Sequence, residues 1–106
     1  MDIAEIKSKV ILLRALLIEH HVRFDGAILF GSYARGNQHE QSDVDIAILS
    51  RDFGHDRFKE SSLLNKLAFS CIPYCDAIPL GLHEYFETES LSPIVREIQR
   101  TGVPLF

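Results

Sequence analysis

Residues 27–49 decide the fold, and they read AILFGSYARGNQHEQSDVDIAIL. Four apolar residues open the stretch, which predicts a short strand buried on both faces. Gly31 and Ser32 end this strand, and residues 32–36 are predicted to form a single helical turn. Residues 37–42 are polar and are predicted to be a loop, and residues 43–49 are predicted to form a second strand. The stretch therefore indicates two core strands joined by a glycine-serine turn.

Helices are predicted on both sides of this stretch. Residues 2–20 are predicted to be helical because Asp2 and Glu5 resemble a capping box and apolar residues recur every three or four positions. The predicted apolar face consists of Ile3, Ile6, Val10, Leu13 and Leu17, widened by Leu12, Leu16 and Ile18. A loop is predicted at residues 51–56 and a second long helix at residues 58–70, with apolar positions Phe58, Leu63, Leu64, Leu67 and Ala68.

The C-terminal third alternates in the same way. A third strand is predicted at residues 74–78, closed by Pro79 and Gly81. Ser92 and Pro93 are predicted to begin a helix that ends at Gly102. Its inward-facing residues are predicted to be Ile94, Val95 and Ile98, and Leu105 and Phe106 are expected to fold back onto the sheet. The order α, β, β, α, β, α predicts an α/β fold, in a single domain spanning residues 1–106.

Composition excludes several classes of protein. The chain has 106 residues, 46% of them hydrophobic, and a net charge of −4, so binding to bulk nucleic acid through nonspecific phosphate contacts is not expected. The sequence shows no signal-peptide pattern and no stretch that would span a bilayer, so we expect a cytoplasmic protein without membrane contact. Cys71 and Cys75 are expected to be buried or half-buried thiols, because a zinc site would need a second pair of ligands.

Gly31 and Ser32 follow a buried strand directly, where the chain turns into a helix. Such a turn presents unpaired backbone N–H groups, and together with a serine hydroxyl these groups favour an anion. Glycine lets the backbone approach a phosphate without a Cβ in the way. The alternative is an ordinary strand-to-helix turn with Ser32 as the N-cap.

Three aspartates are candidates for a cation site. Asp43 and Asp45 are two positions apart on a strand, so their side chains share one face and their Cα atoms lie roughly 6–7 Å apart. Such a pair of carboxylates suits Mg²⁺ or Mn²⁺, and the alternative is a solvated strand entry. Asp76 stands among apolar residues, so it joins this pair if its strand lies beside theirs. Otherwise Asp76 is an edge-strand acid that faces water.

The spacing of these residues resembles a known pattern. Gly31 and Ser32, then ten residues, then Asp43 and Asp45 is similar to the spacing in the polymerase-β-like nucleotidyltransferase superfamily. The string GSYARGNQHEQSDVDIAIL resembles the small, stand-alone minimal nucleotidyltransferases, and Asp76 stands where that family has its third carboxylate. The resemblance covers nearly the whole chain and implies the small mixed β-sheet of the nucleotidyltransferase fold, with helices packed against it.

The resemblance also implies a chemistry. Gly31 and Ser32 would hold the β- and γ-phosphates of ATP, Asp43 and Asp45 would bind two Mg²⁺ ions (or Mn²⁺), and Asp76 would bind the ion nearer the acceptor. Asp76 would also help to deprotonate the acceptor hydroxyl, which attacks the α-phosphate. Arg35 lies in the same turn and either grips a phosphate or pairs with a nearby acid; the sequence leaves both interpretations open.

Partners are implied by the same resemblance. Similar proteins are antitoxins that transfer AMP to a hydroxyl, typically of tyrosine, on an all-helical HEPN ribonuclease encoded nearby. The sequence leaves open whether the chain forms a homo-oligomer or a hetero-oligomer. One alternative is a non-catalytic binding module that neutralises its partner by complex formation. The other is a transferase for a small molecule such as an antibiotic, although such enzymes generally need additional sequence to hold the acceptor.

Overall fold

A computed structural model describes residues 1–39 and 43–106, so residues 40–42 of the predicted loop lie outside the described residues. Four strands form a mixed sheet in the order β3-β2-β1-β4, in which β1 is antiparallel to β2 and β4, and β2 is parallel to β3. The α/β fold predicted from the sequence is confirmed. The strands are β1 (Gly26–Phe30), β2 (Val44–Ser50), β3 (Cys75–Gly81) and β4 (Val103–Pro104). The helices are α1 (Ile3–Glu19), α2 (Gly31–Arg35), α3 (Arg57–Cys71), α4 (Leu82–Tyr85) and α5 (Pro93–Thr101).

Helices cover both faces of the sheet. The helices α1 and α3 pack on one face, and the buried residues there include Ile6, Val10, Leu13, Leu17, Ile46, Ile48 and Leu64. The helix α5 packs on the opposite face, and the buried residues there are Ile28, Phe30, Ala47, Leu49, Leu80, Val95 and Ile98. Side chains alternate between the two faces along β1 and β2, so every residue of these strands except Asp45 is buried. Asp45 lies on the α5 face.

The helix starts follow their sequence signals. The side chain of Asp2 accepts a hydrogen bond from the backbone N of Glu5 at 2.8 Å, which caps α1. Asp56 caps α3 in the same way through Lys59, and Ser92 caps α5.

Several residues predicted to face inward are exposed instead. The exposed fractions are 46% for Ile3, 58% for Leu12, 57% for Ile18, 81% for Phe58 and 38% for Ile94. The helices α1, α3 and α5 are each buried along one narrow stripe, which in α1 contains Ile6, Val10, Leu13 and Leu17. Leu12 and Ile18 lie to the sides of this stripe, while Ile3, Phe58 and Ile94 stand in the first turn of their helices, before the first buried position.

The prediction that Pro79 closes the third strand is wrong, since β3 runs through it to Gly81. The strand lies at the edge of the sheet, and the backbone N of Ala77 and of Gly81 bond to the side chains of Asn65 and Glu84 rather than to β2. By alternation the nitrogen of Pro79 also points away from β2, where a missing N–H costs no bond within the sheet.

The covered edge of β3 is built from side chains of α3 and α4. Asn65 donates to the carbonyl of Ala77 at 2.8 Å and accepts from its N–H at 3.0 Å. Arg57 donates to the carbonyl of Pro79 at 2.7 Å. These bonds satisfy backbone groups that a free edge would leave to solvent.

The predicted strand start at Tyr74 is also wrong. Tyr74 has a left-handed backbone (φ 56°) and stands before β3, which begins at Cys75. The short helix α4 follows β3 directly and was not predicted.

At the C-terminal end, β4 pairs with β1, and Leu105 is buried as expected. Phe106 remains 44% exposed and meets Phe24 edge to face. Cys71 and Cys75 are free thiols and are half-buried, as predicted. No helix in the described part of the chain has the length and apolar character needed to cross a membrane.

Candidate active site

Three strand ends meet at one end of the sheet. Because β1 is antiparallel to β2, and β2 is parallel to β3, the last residue of β1 lies beside the first residues of β2 and β3. Phe30 pairs with Asp45, and Asp45 pairs with Asp76. The turn at Gly31 is therefore brought next to both aspartates, although it lies 45 positions from Asp76 in the sequence.

Asp45 and Asp76 lie on the same face of the sheet. Residues in register on neighbouring parallel strands project to the same side, with strands about 4.8 Å apart. The next residues on that side, Ala47 and Ile78, both pack in the cluster beneath α5. Asp43 stands one residue before β2 and is exposed, as Asp76 is, while Asp45 is partly buried. The structure thus brings these acids together at the end of the α5 face.

Gly31 lies against the carboxylate of Asp45. Its backbone is left-handed (φ 72°), and a Cβ added to it would lie 2.2 Å from Oδ2 of Asp45. The helix α2 begins at Gly31 itself, so its N-cap is Phe30, and the alternative in which Ser32 is the N-cap is wrong. Glycine is therefore needed both for the turn and for contact between the turn and the carboxylate.

The acids repel one another electrostatically. The pKa of Asp45 is raised, first by burial and then by the charges of Asp76, Asp43 and Glu97, while Arg35 lowers it. Burial and the same three aspartates raise the pKa of the Cys75 thiol to about 12. The site therefore favours a cation near Asp45, since a positive charge would relieve this repulsion.

Arg35 forms an ion pair with Glu97, which is one of the two interpretations that the sequence left open. Its Nη1 donates to Oε1 of Glu97 at 2.9 Å. Glu97 is partly buried on α5, and the sequence did not single it out. No local pattern marks Glu97, because its place beside Asp45 depends on how α5 packs on the sheet.

The donor atoms at this end of the sheet fit a hard divalent cation. Carboxylate oxygens from Asp43, Asp45 and Asp76 are ligands of the kind that Mg²⁺ and Mn²⁺ prefer. Within residues 1–39 and 43–106, no three His, Cys, Asp or Glu side chains stand close enough to hold a metal ion. A shared cation would therefore require these carboxylates to come closer together than they stand here.

Comparison with known proteins identifies the family of the chain. The family described as polymerase beta, nucleotidyltransferase matches residues 14–106. A protein of Methanocaldococcus jannaschii named "Putative protein adenylyltransferase MJ0435" is 48% identical over 48 residues, which are 45% of this chain and 46% of that protein. The matched segment thus spans about half the length of this relative.

Solved structures share the fold over nearly the whole chain. A toxin–antitoxin crystal structure with AMP-PNP superposes with a TM-score of 0.62 at 30% identity, covering 94% of this chain and 72% of the other. A mutant toxin–antitoxin complex named MntA-HpeT, which carries two aspartate-to-glutamate changes, gives a TM-score of 0.60 at 28% identity, with the same coverage of both chains. With a family match over residues 14–106, the chain belongs to the polymerase beta nucleotidyltransferase family.

Proposed function

We propose that this chain is a nucleotidyltransferase that moves AMP from ATP to a hydroxyl group of a partner protein and thereby acts as an antitoxin. One observation carries the proposal: Asp45 is in register with Asp76 on the next strand, and its carboxylate touches the backbone of Gly31. This arrangement joins an acidic group that attracts divalent cations to a turn suited to phosphate. Both are needed for transfer from a nucleoside triphosphate.

Divalent cations would be held by Asp43, Asp45 and Asp76. When bound there, Mg²⁺ or Mn²⁺ supplies positive charge that stabilises the phosphate oxygens during transfer. The raised pKa of Asp45 and the proximity of two further aspartates support this assignment.

The chain's own residues would bind and orient the substrates. The backbone N–H groups at the start of α2 and the Ser32 hydroxyl would bind the β- and γ-phosphates, and Arg35 would add a phosphate contact. The acceptor oxygen bonds to the α-phosphorus, the bond from that phosphorus to the bridging oxygen breaks, and pyrophosphate leaves with the electron pair. Asp76, exposed at the edge strand, would accept the hydroxyl proton.

The choice of nucleotide and partner rests on relatives. One relative is named as a protein adenylyltransferase, and one solved neighbour is a toxin–antitoxin complex with AMP-PNP. For this chain we therefore propose ATP as the donor and a toxin as the partner. A HEPN-type toxin with a tyrosine acceptor is the finer proposal, and it comes from the resemblance described above.

The test uses the purified chain, ATP labelled on the α-phosphate, Mg²⁺ and the protein encoded by the neighbouring gene. We expect label on that protein, located on tyrosine by mass spectrometry, and no label with the Asp43→Asn/Asp45→Asn double variant. Transfer that persists in the double variant would contradict the assignment of these acids. Complex formation without any transfer would support a non-catalytic antitoxin instead.

A further inference from the structure

The ion pair between Arg35 and Glu97 joins α2 to α5 beside the acidic group. Arg35 is the last residue of α2, and Glu97 lies in the middle of α5. Their contact of 2.9 Å spans 62 positions in the sequence. The exposed side-chain fractions are 45% and 34%, so water reaches both partners. As a contribution to stability, such a pair is small, on the order of 0–1 kcal/mol.

Glu97 adds a fourth acid to a site that already contains three. Its charge raises the pKa of Asp45, as the charges of Asp43 and Asp76 do, and the charge of Arg35 lowers it. A further negative charge at this place weakens the binding of any phosphate by simple repulsion. Glu97 therefore needs a role that offsets this effect, and its hydrogen bond to Arg35 offers one.

The helix α5 holds Glu97 firmly. Val95 and Ile98, two residues before and one residue after Glu97, are 4% and 1% exposed and pack with Ile28 and Phe30 of β1. Arg35, in contrast, is an exposed residue with a long side chain that loses considerable rotamer entropy when it is ordered. A fixed carboxylate beside it restricts the guanidinium to the end of the sheet where Gly31 and Asp45 meet.

We propose that Glu97 is a positioning residue that orients Arg35 toward the triphosphate of the nucleotide, which rests on the function proposed above. A guanidinium is a planar fork with five N–H donors. One edge can remain on the Glu97 carboxylate while the remaining donors face phosphate oxygens. Glu97 touches no substrate in this scheme and acts through Arg35 alone.

Two explanations of Glu97 make opposite predictions. If Glu97 is only a negative charge near the site, Glu97→Ala removes repulsion, and the nucleotide binds more tightly. If Glu97 positions Arg35, Glu97→Ala weakens nucleotide binding, although the site has become less negative. Glu97→Gln separates the two further, because it removes the charge and retains an oxygen that Arg35 can bond to.

The experiment is a calorimetric titration of AMP-PNP in the presence of Mg²⁺, which reads binding without any turnover. We expect Arg35→Gln to raise the dissociation constant on the order of tenfold, as for loss of one charge-assisted contact. Glu97→Ala should raise it severalfold, Glu97→Gln should lie between Glu97→Ala and the unmodified chain, and Glu97→Ala should add nothing in the Arg35→Gln background. Glu89→Ala removes the same charge from an exposed residue before α5 and should leave binding within about twofold.

Each result decides between these explanations. Equal or tighter binding by Glu97→Ala overturns the positioning role while leaving the proposed function intact, provided that the unmodified chain binds AMP-PNP. Independent, additive effects of the two substitutions also overturn it. Failure of the unmodified chain to bind overturns both the positioning role and the proposed function. Arg35→Lys is a second test that leaves Glu97 in place: weaker binding supports a requirement for the fork, and unchanged binding contradicts it.

Discussion

At the scale of single residues, Gly31 connects the proposed phosphate-binding turn to Asp45, and its replacement is the first prediction. Gly31→Ala should lower the free energy of unfolding by more than about 2 kcal/mol. The left-handed backbone alone costs roughly 1–2 kcal/mol for a residue with a Cβ. The new methyl group would also meet the Asp45 carboxylate at 2.2 Å, which forces that side chain to move. Urea unfolding followed by circular dichroism measures the loss.

Gly36 provides a matched control for this substitution. It has a similar backbone angle, φ 76° against 72°, but an added Cβ would find no heavy atom within 4 Å. Gly36→Ala therefore reports the backbone cost alone. Most of the excess loss in Gly31→Ala should disappear when Asp45 is also replaced by Ala, which removes the carboxylate and keeps only the Cβ. Equal losses at the two glycines would contradict the contact between the turn and Asp45.

The sequence made the principal residues of the site predictable because their signal is local. Gly31, Ser32, Asp43 and Asp45 lie within one short stretch, and fixed spacing along a strand-turn-strand unit determines where they point. Asp76 needed one further assumption, that its strand is the neighbour of β2. Glu97 was missed because the packing of α5, and not any spacing in the sequence, brings it to Arg35.

At the scale of elements, Asn65 fixes β3 to α3, and its replacement is the second prediction. Asn65→Leu should cost about 1–3 kcal/mol, because it leaves the N–H and the carbonyl of Ala77 without their partner. Ala77 follows Asp76, so the loosened segment includes the third acid. Hydrogen exchange should be faster at the Ala77 amide, while the amides of the central strand β2 keep their protection. Unchanged exchange at Ala77 would contradict this role of Asn65.

Helices and strands were predictable where a pattern of apolar residues extends over many positions. They were not predictable where the place of a segment in the folded molecule determines its structure. The 17 residues of α1 and the apolar run of β1 carry strong local patterns, and both were placed within a few residues. The prediction that Pro79 ends the third strand is wrong because the rule behind it assumes a strand with neighbours on both sides. The four residues of α4 are too few to show a helical period.

At the scale of the whole molecule, two crossed ion pairs fasten the connection between α1 and β1 to the turn after β2. Arg23 pairs with Asp52 at 2.7 Å, and Arg51 pairs with Asp25 at 2.9 Å. The Arg23 hydrogen bond holds the pKa of Asp52 at about 2, below its ordinary value of 3.8. The ionised Asp52 therefore contributes stability that is fully present above pH 3.8 and is lost as the pH falls toward 2.

Asp52→Asn tests this linkage as the third prediction. The variant should be slightly less stable than the unmodified chain at pH 5–7, by the small amount expected of a solvent-exposed pair. The difference should shrink as the pH falls through the window between the two pKa values. Denaturant unfolding at a series of pH values measures it, and Arg23→Gln should give the same trend. A difference that does not depend on pH would contradict the assignment.

The fourth prediction concerns the stability of the whole chain with and without a cation and a nucleotide at the acidic group. In EDTA, Asp45→Asn should raise the free energy of unfolding by about 0.5 kcal/mol, the scale of a cross-strand charge pair, because it removes repulsion from Asp76. With Mg²⁺ and AMP-PNP at about 100 times the dissociation constant, the unmodified chain should gain about 2.7 kcal/mol. The order of stability of the two proteins should then reverse. Melting temperatures that do not change when Mg²⁺ and AMP-PNP are added would contradict the proposed site.

Within residues 1–39 and 43–106, neither side of the sheet offers a long free strand. Side chains of Asn65, Arg57 and Glu84 bond to the backbone along β3, and Pro79 removes one further donor. On the opposite side, β4 is only two residues long and contains Pro104. Adding a strand from another molecule requires a row of unpaired backbone groups, and in the part of the chain that the structure describes neither edge supplies one. Assembly with the proposed toxin partner, or with a second copy of the chain, would therefore proceed through side-chain surfaces and not through a sheet shared between molecules. The same covered edges protect the isolated chain against edge-to-edge aggregation.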